Sequence, residues 1–88
     1  MGKPTEYELQ QALAEAGRLR ESGEDEHFVG KTLLNHHYRL GLLEDVLARA
    51  KVYLHSGHGS KEHTLLLRAI EKAEKAARAP GDSGGFAG

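Results

Sequence analysis

Cysteine and tryptophan are absent from this 88-residue chain, and proline occurs only twice. Without cysteine, no disulfide and no thiolate zinc site can staple the fold, and thiol redox chemistry is excluded. Long apolar runs are missing as well. No stretch approaches the roughly 20 residues of a membrane span, and the opening MGKPTEYELQ lacks the apolar core of a secretory signal. A cytoplasmic location and no membrane partner are therefore expected. Nor does charge of one sign dominate: 12 Lys and Arg stand against 13 Asp and Glu, for a net charge of -1. That balance offers no directed field for nucleic acid. The partly basic stripe Lys61, Arg68, Lys72 and Lys75 is diluted by Glu62 and Glu71, and no aromatics interleave to stack bases.

Catalytic furniture is equally sparse. There is no glycine-rich phosphate loop followed by Lys and Ser or Thr. Ser56 and Ser60 lie near histidines but read as turn and cap residues, and no nucleophile stands with a base and an orienting group. A core this small leaves little room for a pocket of the usual several hundred Å3. The expectation is a protein without enzymatic activity or cofactor.

What is present is leucine at helical spacing. Thr5 and Glu8 form a T-x-x-E capping box, after which Leu9, Ala12, Leu13, Ala16 and Leu19 recur at threes and fours. A first helix is predicted over 4–22, stopped by Gly23. The acidic run Glu24, Asp25, Glu26 suits the positive end of a second helix, predicted from there to about His55, before Ser56, Gly57 and Gly59. Along it, Val29, Leu33, His36, Leu40, Leu43, Leu47, Ala50 and Leu54 alternate in steps of four and three. This 3.5-residue period marks a helix-pairing seam. Phe28, Leu42, Val46 and Tyr53 widen the seam into a face too broad for one neighbour. Gly30 and Gly41 interrupt it, each a candidate kink or close crossing. Ser60 is placed to cap a third helix carrying Leu65, Leu66, Ala69, Ile70, Ala73, Ala76 and Ala77, which ends at Pro80.

The fold class that follows is all-α: three helices in antiparallel arrangement around a long central one, completed into a larger bundle by homodimerisation. Residues 1–79 form the helical domain, and the Gly-rich segment 80–88 is a flexible tail. The function that follows is a self-associating protein-protein interaction module, adaptor or regulatory. Its expected interface is Val29, Leu33, His36, Leu40, Leu43, Leu47 and Leu54, with a further protein partner able to dock on leftover apolar surface.

Six histidines raise alternatives. His36 falls inside the apolar stripe, where a partly buried imidazole hydrogen-bonded to a neighbour or across a dimer seam is expected; His37 falls on the more polar side. His55, His58 and His63 surround the turn HSGHGSKEH, and imidazoles gathered there are candidate ligands for zinc or nickel, although solvated turn histidines are the simpler reading. A single E-x-x-H, Glu24 to His27, is present, whereas a di-iron carboxylate bundle requires two such motifs and further glutamates projecting inward. The segment His37 to Gly41, H-Y-R-L-G, bears a superficial similarity to histidine phosphotransfer domains. It departs from their pattern in holding Leu40 three places after the histidine, with Arg39 one place early. That likeness implies a phosphorylatable His37.

Overall fold

The computed structural model describes residues 2–79. Three α-helices follow one another, α1 (Glu6–Ser22), α2 (Val29–His55) and α3 (Ser60–Arg78), with no strand among the described residues. The chain divides into two compact units, Met1–Tyr38 and Arg39–Gly88. Residues 29–38 of α2 belong to the first and the rest to the second. The expected tail at 80–88 lies outside the described residues.

In the first unit, α1 begins as its sequence dictates. Thr5 Oγ1 accepts from the Glu8 amide at 3.0 Å, and Glu8 Oε1 accepts from the Thr5 amide at 2.9 Å, so two of the helix's orphan donors are satisfied reciprocally. Gly23 ends the helix at φ 77°, a left-handed conformation that costs glycine nothing and other residues about 1 kcal/mol or more. Leu9, Leu13 and Leu19 are half-buried and Ala16 is buried, whereas Ala12, placed with them by spacing, is exposed.

α2 starts at Val29, four to five residues later than its acidic run suggests. The acids do not sit in its first turn. Instead Asp25 folds its side chain back to accept from the amides of Gly30 at 2.9 Å and Lys31 at 2.8 Å, doing at a distance what an N-cap residue does locally. Phe28, at φ 61°, makes the bend that permits it. Gly30 is the expected close crossing, because a Cβ there would lie 2.8 Å from the Ala16 carbonyl oxygen on α1. Gly41 is neither kink nor crossing: α2 runs helically through it, and a Cβ would meet nothing within 4 Å.

The two glycines therefore respond oppositely to the same change. Gly30→Ala drives a methyl into a backbone carbonyl that cannot step aside, and it is expected to destabilise the protein by about 1–3 kcal/mol. Gly41→Ala removes an entropic penalty from a helix interior and is expected to stabilise by about 0.5–1 kcal/mol. Thermal melts of the two variants beside the parent check both signs.

In the second unit, Leu42, Val46, Ala50 and Tyr53 of α2 are half-buried at steps of four, four and three, one helical face turned to α3. From α3, Leu65, Leu66, Ile70, Ala73 and Ala76 are half-buried and Ala69 is buried, while Ala77, placed on the same face by spacing, is exposed. Gly59 rather than Ser60 stands at the N-cap, and no side chain caps the helix. The connecting turn, with Gly57 and His58 both at positive φ, is lined by rings. Tyr53 stacks on His58 at 4.7 Å between centroids and meets His63 at 5.7 Å. Among the described residues no large side chain is fully buried; the buried apolar side chains are one alanine in each unit, Ala16 in the first and Ala69 in the second.

Candidate functional site: the uncovered face of α2

A helix 27 residues long extends about 40 Å at 1.5 Å per residue, and α2 is lined along one flank by apolar side chains that the single chain leaves in water. Val29 is 64% exposed, Leu40 52%, Leu43 51%, Leu47 60% and Leu54 65%. All five belong to the expected seam. Leu33, the remaining leucine of that seam, is half-buried, and His36 is exposed. On a wheel at 100° per residue these positions share one sector of α2, whereas Leu42, Val46 and Tyr53 cluster roughly 100° away on the sector that faces α3. The second unit thus uses Leu42, Val46 and Tyr53 in its own packing and leaves Leu40, Leu43, Leu47 and Leu54 exposed.

Of the two placements expected for His36, bonded to a neighbour within the chain or across a dimer seam, the first is not met: the side chain is exposed, and no hydrogen bond engages it among the described residues. His37 is exposed as well. At the turn the three histidines do not converge. Nδ1 of His55 lies 2.7 Å from the Lys51 carbonyl oxygen, while His58 and His63 lie against the Tyr53 ring. No group of three or more His, Asp or Glu side chains able to hold a metal ion occurs among the described residues. The E-x-x-H pair is spoken for separately: Glu24 binds Arg18 at 2.9 Å, and His27 lies 3.7 Å from Glu26 on the surface.

The polar centre that spacing did not reveal is Asp25. Its side chain is almost wholly buried between the Gly30 and Lys31 amides and the Arg20 guanidinium at 3.1 Å. The Gly30 amide above all, with the Lys31 amide and Arg20, holds its carboxyl below the ordinary aspartate value, against the opposing effect of burial. Nearby, Arg18 bridges Glu15 at 2.6 Å and Glu24 at 2.9 Å, which lowers both carboxyls through its hydrogen bonds. These exposed pairs contribute little stability. An acid before a helix reads in sequence as a first-turn residue, so only the offset of five to a glycine hinted at Asp25's reach.

No helix among the described residues is long and apolar enough to cross a membrane. Comparison with protein-family models, curated proteins and solved structures finds no match to this chain.

Proposed function

We propose that this protein is a helical interaction module that associates with itself through α2. The observation that carries the reading is the stripe Leu40, Leu43, Leu47 and Leu54, half or more exposed in a chain whose only buried apolar side chains among the described residues are two alanines. Single exposed leucines are ordinary on soluble proteins, but a row at heptad spacing along one helix is the pattern of an unfilled interface. A domain of this size sits near break-even between burial and ordering, so covering the row in a second copy adds burial without adding chain.

Sedimentation velocity over micromolar concentrations tests the reading. A concentration-dependent shift from monomer to dimer is expected, accompanied by a melting temperature that rises with protein concentration. A compact monomer throughout that range overturns it.

A further inference from the structure

Arg39 and Glu44 stand on opposite flanks of the exposed α2 stripe. With Leu33, Leu40, Leu47 and Leu54 at a positions and Val29, His36, Leu43 and Ala50 at d, Arg39 occupies g and Glu44 the following e. No ion pair or hydrogen bond engages either side chain among the described residues, although neighbouring charges on the same helix do pair, as Arg49 does with Asp45 at 3.6 Å. An offset of five residues from g to e is the one that joins two helices side by side in the same direction.

Resting on the reading above, we propose that two copies pair through α2 in parallel and in register, with Arg39 of each chain meeting the partner's Glu44. The occupant of the stripe is a second copy, because the unengaged charges on its two flanks are opposite in sign and each finds its complement on an identical chain. Parallel pairing uses both unengaged charges twice. An antiparallel pair instead sets each flank against its like, which leaves Arg39 without an acid opposite. His36 fixes the register: in phase, the imidazole meets the partner's His36, where each ring can serve as donor or acceptor to the other. A slip of one heptad sets one chain's His36 against the partner's Leu43 and that chain's own Leu43 against the partner's Ala50. A lone polar layer of this kind specifies alignment at some cost in affinity. The Ala50 layer is half-covered by α3 already, so Leu40, Leu43, Leu47 and Leu54 carry the contact.

The absence of cysteine makes the test clean. His36→Cys and Leu47→Cys are prepared separately, checked for helical content by circular dichroism, and oxidised alone and as a mixture of two lengths distinguished by a tag. Each variant alone is expected to form a disulfide-linked dimer and the mixture no tagged-untagged product joining the two sites, since 11 residues of helix separate them by about 16 Å and a disulfide spans no more than about 7 Å between Cα atoms. Cross-links confined to the mixture establish an antiparallel pair, and a dimer without any cross-link places the contact on another register or face. Either result overturns this proposal while leaving self-association intact; a wild-type monomer by sedimentation removes the reading beneath it. Independently, Arg39→Glu is expected to weaken the dimer about tenfold, and Arg39→Glu combined with Glu44→Arg to restore it. Failure of that rescue counts against the pairing.

Discussion

Leu43→Asp is expected to convert the protein into a monomer at concentrations where the parent is dimeric, with at least a hundredfold loss of affinity. The magnitude follows from burying an unpaired carboxylate at the centre of an apolar seam, which costs several kcal/mol. What makes the experiment discriminating is that Leu43 is half exposed in the single chain. The substitution removes little packing there, so the variant's helical signal at high dilution matches that of the dissociated parent. Its melting temperature is expected to be independent of concentration, in contrast to the rise expected of the parent under the proposed self-association. Leu42→Asp supplies the contrast. One residue along, that side chain is half-buried on the face turned to α3, so the same charge there is expected to unfold the second unit rather than merely to separate the proposed pair.

The second large effect concerns Asp25. Replacing it with asparagine removes the charge that Arg20 answers and one of the two oxygens that receive the Gly30 and Lys31 amides. A buried donor left without an acceptor is more costly than an ordinary hydrogen bond is worth. In a chain this short the midpoint of thermal unfolding is expected to fall by about 5–15 °C. Acid acts on the same centre. Because the folded carboxyl is held below its ordinary value of 3.8, its contribution is complete above that pH and is lost as pH falls through the lower folded value. Glu15 and Glu24 are lowered too and act in the same window. The part belonging to Asp25 is therefore the difference between parent and Asp25→Asn: melts between pH 5 and pH 2 are expected to converge as the parent loses what the variant never had. Parallel curves would show that the carboxylate is not stabilising the corner.

Helix existence was legible in the sequence because local signals and periodicity agreed: the Thr5–Glu8 box, Gly23 and the threes and fours of leucine each report nearest-neighbour physics. The start of α2 was not legible. It depends on a side chain reaching five and six residues ahead, and an acidic triplet carries the same appearance whether it lies inside a first turn or before it. The site divided along similar lines. Periodicity identified the row from Val29 to Leu54 but not which sector of a leucine-rich helix the third helix would take, since Leu42, Val46 and Tyr53 are as apolar as Leu40, Leu43 and Leu47. The exposure of His36 in the single chain was not legible for the same reason, as it depends on which sector is covered. At the turn, spacing grouped His55, His58 and His63, whereas in the structure the rings of His58 and His63 lie against Tyr53 and Nδ1 of His55 lies against the Lys51 carbonyl.

The two turns of the chain are fastened unequally. The first is tied by a carboxylate gripping two main-chain amides, whereas the second rests on ring faces and begins its helix from a glycine with no side-chain acceptor. In deuterium-exchange measurements, amides around Gly57 to Lys61 are expected to label well before those of Gly30 and Lys31. A peptide tag or spacer spliced into the chain is then better tolerated beside Gly57 than anywhere between Gly23 and Val29.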